Sequence, residues 1–382
     1  MLKRPELLAR VNKALARSPI VMLVGPRQCG KTSLARQLVG ERSPNYFDLE
    51  QHAVANVMAD PSLVLDGLKG LVVLDEAQRE PRLFPHLRVL ADRRRNPAKF
   101  LVLGSASPEL TRQASESLAG RVEIIELRGF DLGEVKEAEH QALWLRGAFP
   151  RSFLARNGEE SMVWRENFIS TFLERDLSNL GFGMSPVVMR RFWTMLAHYH
   201  GQIWNAAQMS TSLGISASSA RNYLDALEQT FMVRRLQPWH INTKKRLVKS
   251  PKVYVRDTGL LHALDGISTM KRLWTYPRLG ASWEGFAIEE VLSAFKPREA
   301  WFYATQAGAE LDLLFLHKGK RIGVELKRSG APSISKSMHV ALEDLKLDKL
   351  YFVYPGELQV KLASKVEAIP LAKIRDLAAN LK

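Results

Sequence analysis

The residues Gly25, Pro26, Arg27, Gln28, Cys29, Gly30, Lys31 and Thr32 complete the pattern G-x-x-x-x-G-K-[ST] directly after the apolar run 20–24. The order is a chemical requirement. Glycines let backbone N–H groups turn inward around an anion, and the helix that follows presents its positive end to the same anion. The preceding run reads as a strand and residues 32–39 continue with helical spacing, so strand, loop and helix follow one another as a phosphate-binding loop demands. In that arrangement Lys31 meets the β and γ phosphates of ATP and Thr32 meets a magnesium ion, with Ser33 beside them at the start of the helix.

A second acidic signature sits at 70–76, where a short apolar strand ends in Asp75 and Glu76. Asp75 is placed to hold hydrated magnesium and Glu76 to polarise the attacking water, since hydrolysis needs a positioned base near the γ-phosphate. A third strand, 99–104, ends in Ser105 and Ser107, candidates for a polar sensor of the γ-phosphate or the lytic water. Arg121 follows Gly120 in a turn. It reads either as an arginine finger, acting in its own subunit or a neighbour's, or as an ordinary surface arginine.

The chain of 382 residues is long enough for two or three domains with their own cores. Its 55 Lys and Arg against 40 acidic residues give a net charge of +15, which favours a polyanionic partner such as nucleic acid. The single cysteine, Cys29, excludes an intramolecular disulfide and fits a reducing compartment; inside the loop it is a small tolerated residue or a redox switch on nucleotide binding. No apolar run is long enough to cross a bilayer and the start lacks an apolar signal core, so a cytoplasmic protein with no membrane partner is expected.

From about Gly129 to Gly183 the strand rhythm gives way to helical spacing, read as a lid or connector. Phe168 and Phe172, four apart, belong to its core; Glu174, Arg175 and Asp176 read as a solvated face. Residues 206–213 form a helix stopped by Gly214, and Ser216 caps a second helix over 217–227. There Ala220, Leu224 and Leu227 face inward and leave Ser218, Ser219, Arg221 and Asn222 outward, short polar and cationic groups suited to a DNA groove. Strand-like runs at 231–236 and 252–256 flank a basic loop carrying Lys244, Lys245, Arg246 and Lys249. Together these segments resemble a winged helix whose wing touches phosphates without reading sequence. Winged helices also serve as protein-contact modules, and that alternative stands beside the first.

Further on, 283–292 has helical spacing with Glu284 near its start, and strand-like runs 310–315 and 321–327 are joined by a turn at 317–320. A hairpin of this kind brings Asp312 beside Glu325, and strand alternation puts Glu325 and Lys327 on one face. Two carboxylates converging with a lysine match the D…ExK arrangement of PD-(D/E)XK nucleases. Asp312 and Glu325 would be ligands of magnesium or manganese, Glu284 would assist, and Lys327 would orient the water. The same pocket can also bind DNA or metal without turnover.

Taken together, the loop 25–32, Tyr46 to Asp48, the segment 74–79 with Gln78, the turn 117–121, the segment 256–260 and the strand end 324–327 resemble prokaryotic AAA-type P-loop ATPases with a C-terminal domain of long-unassigned function. The resemblance covers nearly the full length. It implies an α/β architecture with an AAA-type ATPase core, a winged helix-turn-helix and a restriction-endonuclease-like α/β domain; with the helical lid or connector read from spacing, the expected parts are 1–130 (core), 131–185 (lid or connector), 186–272 (winged helix) and 273–382 (nuclease-like domain). The expectation is an ATP-hydrolysing, DNA-binding homo-oligomer, with a ring as one form of it, acting on duplex or branched DNA. The alternative is a nucleotide-switched regulator or scaffold with an inert nuclease-like domain.

Overall fold

The structure, a computed structural model, describes residues 3–93, 98–105, 112, 114, 116–240 and 246–381. It divides into two compact units: Met1–Gly129 with Gln229–Phe231, and Phe130–Glu228 with Met232–Lys382.

In the first unit five strands form one sheet: β1 (Ile20–Gly25), β2 (Tyr46–Asp48), β3 (Gly70–Asp75), β4 (Ala98–Ser105) and β5 (Val122–Glu126), ordered β2-β3-β4-β1-β5. Every pairing is parallel. A parallel sheet is covered on both faces, so β1 is buried along its whole length and its sequence is an unbroken apolar run. Alternation then assigns the faces. Val21 and Leu23 pack with Val11 and Ala14 of the helix Pro5–Arg17 and with Leu34 of the helix Lys31–Val39. Ile20 and Met22 pack with Leu87 and Leu90 of the helix Leu83–Asp92. The register pairs Gly25 with Ser105 and Asp48 with Asp75, which brings the loop, the acidic strand end and the third strand end to one edge.

The second unit is built on a nine-stranded mixed sheet. Its strands are β6 (Gln202–Ile203), β7 (Val233–Pro238), β8 (Lys252–Val255), β9 (Ala300–Ala304), β10 (Glu310–His317), β11 (Lys320–Leu326), β12 (Lys349–Tyr354), β13 (Val360–Lys361) and β14 (Val366–Pro370). Their order is β13-β14-β12-β11-β10-β9-β7-β8-β6. One pairing joins segments that the sequence reading treats as separate modules: β7 runs parallel to β9, with Gln237 opposite Trp301 and Pro238 opposite Phe302. Ahead of β7 the helices Pro186–His198, Ala206–Leu213 and Ala217–Gln229 follow in turn, with Gly214 at φ 66° ending the second and Ser216 Oγ accepting from Ser219 N at 3.0 Å in the third. Ala220, Leu224 and Leu227 are buried, as their spacing predicts.

Residues 137–179 form a series of helices interrupted at 147–149 and 154–157, and Phe168 and Phe172 lie in the core. Glu174 and Arg175 are exposed, but Asp176 is buried, contrary to the solvated face expected of all three. The cause is a widened turn over Phe172–Asp176, in which Leu177 N bonds Phe172 O; the extra residue rotates Asp176 off the outer face. Asp257 fixes this helical region to the sheet: its carboxylate accepts from Leu260 N at 2.8 Å and from Ala148 N at 2.7 Å, capping the helix Thr258–Leu264. No helix among the described residues is long and apolar enough to cross a membrane.

Candidate functional sites

The loop between β1 and the helix Lys31–Val39 bends through two left-handed residues, Gln28 at φ 62° and Gly30 at φ 104°. That alternation turns successive N–H groups toward one centre, and no side chain caps the helix that follows, so its first N–H groups are left for an anion. Gly25 has no substitute: a Cβ there would lie 2.0 Å from Leu127 O. Cys29 fills the underside of the loop, fully buried, and burial pushes its thiol pKa up, away from reactivity. Lys31 Nζ donates to Gly25 O at 2.9 Å and Pro26 O at 2.8 Å, so its ammonium already lies across the mouth of the loop.

Around it the structure gathers the other expected groups. Thr32 Oγ1 donates to Asp75 Oδ2 at 2.8 Å, and Glu76 N donates to Asp75 Oδ1 at 3.0 Å. Tyr46, from β2, also donates its hydroxyl to Asp75 Oδ2; burial and that carboxylate raise its pKa, so it stays a donor. Glu76 adopts φ 55°, an unfavourable conformation for a side-chain-bearing residue, worth roughly 1 kcal/mol or more. It aims the carboxylate beyond the end of β3, where Gln78 Nε2 donates to it. Glu50 lies between Arg79, at 3.0 Å, and Arg27, at 4.0 Å. The loop, Thr32 and Asp75 fit a magnesium nucleotide: a helix start with no side-chain cap for phosphate, and a hydroxyl beside a carboxylate for the ion.

Arg121 is held elsewhere. Its guanidinium grips Asp92 through Nε at 2.6 Å and NH2 at 2.9 Å on the surface. Ser105 ends β4 opposite Gly25, but its side chain lies outside the described residues, as does Ser107.

In the second unit the β10–β11 hairpin turns between His317 and Lys320 as expected, and Asp312 Oδ2 accepts from Leu326 N at 2.8 Å, next to Glu325. Lys327 Nζ stands 3.1 Å from Glu325 Oε1 and 3.9 Å from Asp312 Oδ2. The helix Leu279–Phe295 supplies Glu284, whose Oε1 accepts from Tyr254 OH at 2.6 Å. A residue that sequence reasoning missed lies among them. Lys252 Nζ is 3.4 Å from Glu284 Oε1 and 3.8 Å from Asp312 Oδ1, and also contacts Glu310. The signal was present, since Lys252 and Tyr254 alternate as the polar face of an otherwise apolar strand.

Burial, and after it the charge of Asp312, pushes Glu284 to about 7 and Glu325 to about 8. Burial pulls the other way on Lys252, but Tyr254, Glu284, Asp312 and Glu310 outweigh it and hold the ammonium charged. Lys327 is likewise raised, burial being overcome by Asp312 and Glu325. These carboxylates do not fit a metal ion as they stand: among the described residues no group of three or more His, Cys, Asp or Glu side chains is arranged to hold one. Ammonium groups face the oxygens instead, and Glu325 Oε2 is buried with no hydrogen-bond partner.

Of the remaining expected residues, Ser218, Arg221, Asn222, Arg246 and Lys249 are exposed and Ser219 is half-buried. Lys244 and Lys245 lie outside the described residues.

Comparison with known proteins adds the family. An AAA domain matches residues 17–136, a Domain of unknown function (DUF8612) matches 137–271, and a Domain of unknown function (DUF4143) matches 279–374. Two proteins called uncharacterized, one from Mycobacterium tuberculosis and one from Mycobacterium bovis, are each 51% identical over 375 residues, 98% of this chain and 85% of theirs. The chain belongs to the family of these mycobacterial proteins. A Walker-type ATPase of Pyrococcus abyssi aligns with 69% of this chain and 96% of its own at 16% identity and a TM-score of 0.45. The AAA domain spans Gly25 to Thr32, Asp75 and Glu76, so in this family the first unit is a P-loop domain of ATPase type.

Proposed function

We propose that this protein hydrolyses ATP in its first unit to control how its second unit engages DNA. Lys31 would leave its two loop carbonyls for the phosphates, Thr32 and Asp75 would hold magnesium, and Glu76 would orient the water. Magnesium would there neutralise phosphate charge. Tyr46 and Gln78 keep Asp75 and Glu76 in place.

The second unit reads as a winged helix fused to a nuclease-like sheet. Three helices precede the antiparallel β7–β8 hairpin, with exposed Ser218, Arg221 and Asn222 on the third helix and Arg246 and Lys249 leading into β8. One observation carries the DNA reading: the Asp312, Glu325 and Lys327 cluster shares a single sheet with that basic hairpin, which suits a phosphodiester backbone lying along both. A second reading, a nucleotide-switched regulator with an inert C-terminal pocket, is favoured by the lysines that already occupy the carboxylates.

The deciding experiment incubates end-labelled single-stranded, duplex, forked and four-way-junction DNA with ATP and magnesium or manganese, using wild type, Lys31→Ala and Lys327→Ala. Lys31→Ala is expected to lower ATP turnover about a hundredfold or more. Cleavage lost in Lys327→Ala supports a nuclease, shifted but intact DNA supports the inert pocket, and no binding to any substrate overturns the DNA reading.

A further inference from the structure

The short helix Met270–Trp274, capped by Thr269, ends on Trp274, and 41% of that residue is exposed, a large apolar surface to leave in water. The ring is nevertheless held in place. Trp144 meets it edge-on at 5.6 Å between ring centres; Trp144 is itself buried, stacked on Phe286 at 6.5 Å and tied through Nε1 to Ser282 Oγ at 3.0 Å. The Arg328 guanidinium lies over the Trp274 ring, 4.5 Å from its centre. Arg328 is exposed and has no carboxylate partner among the described residues, so its charge stays open to a ligand.

Arg328 directly follows Lys327 at the end of β11. It also lines an open cavity of about 210 Å³ at the carboxyl ends of the parallel strands β11 and β12, together with Ser329, Gly330, Pro355 and Gly356. Crevices at the carboxyl ends of parallel strands are where ligands settle in sheets of this kind. One wall is fixed by packing: a Cβ on Gly356 would lie 2.1 Å from the ring of Tyr354, whose hydroxyl donates to Leu358 O at 2.6 Å. The volume falls below the roughly 300 Å³ at which sites for whole small molecules begin, so the cavity suits one flat group of a larger molecule. A guanidinium is planar, and Trp274 covers one of its faces. Lys271 and Arg272, exposed on the helix that carries Trp274, extend the positive charge. The matching ligand has flat rings joined by negative charges. An acidic peptide would pair with the cations and leave the aromatic platform unused, and a base inside a duplex has both faces hidden in the stack.

We propose that Arg328, backed by Trp274, is a stacking platform for an unpaired base of single-stranded DNA, with Lys271 and Arg272 for the flanking phosphates. The platform rests on the DNA reading of the second unit and adds to it the form of DNA taken, a strand with unpaired bases.

Fluorescence anisotropy on the full-length protein tests it with a labelled single strand, the same sequence as a blunt duplex, and an abasic strand of equal length. Trp274→Ala and Arg328→Lys are each expected to weaken single-strand binding about tenfold, while duplex binding changes by less than about twofold. Lysine keeps the charge of Arg328 and loses its plane. Wild type is expected to bind the abasic strand about tenfold more weakly than the normal one. As Trp274 also packs on Trp144, its removal can disturb the fold; Arg328→Lys leaves that packing alone, and the abasic strand needs no substitution. Single-strand affinity unchanged in either folded variant, an equal loss on single strand and duplex, or an abasic strand bound as well as the normal one overturns the platform. Wild type that binds duplex but no single strand also overturns it and leaves the DNA reading intact, whereas binding to no DNA at all sinks both.

Discussion

His262 shows how a single buried side chain ties distant parts of the second unit together. One ring nitrogen lies 3.0 Å from Leu145 O and the other 2.7 Å from Ser282 Oγ, which also accepts from Trp144 Nε1. Burial pulls its pKa down from 6.5 to about 4, so the folded protein holds it neutral where the unfolded chain would begin to take a proton. Its contribution to stability is therefore present above about 6.5 and is lost progressively as pH falls from there toward 4. The raised pKa values of Glu284 and Glu325 act in the opposite sense, so the comparison must isolate the histidine. Thermal unfolding of wild type and His262→Gln at pH 7.5 and pH 5 does so: the advantage of wild type is expected to shrink at the lower pH. An advantage that stays constant would show that the ring is protonated in the fold.

Helix approach sets the stability of the region between Phe130 and Leu264. A Cβ on Gly259 would sit 2.1 Å from Arg146 O, a backbone atom that cannot swing aside, and Arg165 NH1 bonds Gly259 O at 2.9 Å across the same contact. Gly259→Ala is expected to destabilise the second unit by about 2 kcal/mol or more, measured by denaturant unfolding, with the nucleotide affinity of the first unit unchanged. Close approaches of this kind explain what the sequence could and could not reveal. β1, β3, the β10–β11 hairpin and the helix pair around Gly214 each carry a local signal, whether an apolar run, an alternation or a stop residue, and all were legible. The apolar run 349–354 suits a strand or a buried helix equally, so β12 gave no separate signal. Tyr46 on Asp75 and Lys252 on Glu284 depend on pairing between segments 29 and 32 residues apart, which no periodicity records. Asp176 was misread because a widened turn shifts the helical phase without any sequence mark.

At the scale of the whole molecule, the chain beyond Phe130 behaves as one body. Trp239 packs edge-on against Trp301 at 4.6 Å between ring centres, beside the β7–β9 pairing. A fragment of residues 130–382 is expected to melt in one calorimetric transition, whereas residues 279–382, with β9 stripped of its neighbour and left as a bare edge, are expected to aggregate or show no cooperative transition. Cooperative melting of the shorter piece would mean that the β7–β9 pairing is dispensable. On the DNA reading, this pairing acts as a ruler. With β7 locked beside β9, the exposed helix face at Ser218, Arg221 and Asn222 cannot slide relative to Asp312 and Glu325. Whatever step of the double helix that face grips, the phosphate presented to the carboxylates must then lie at a constant count of nucleotides away.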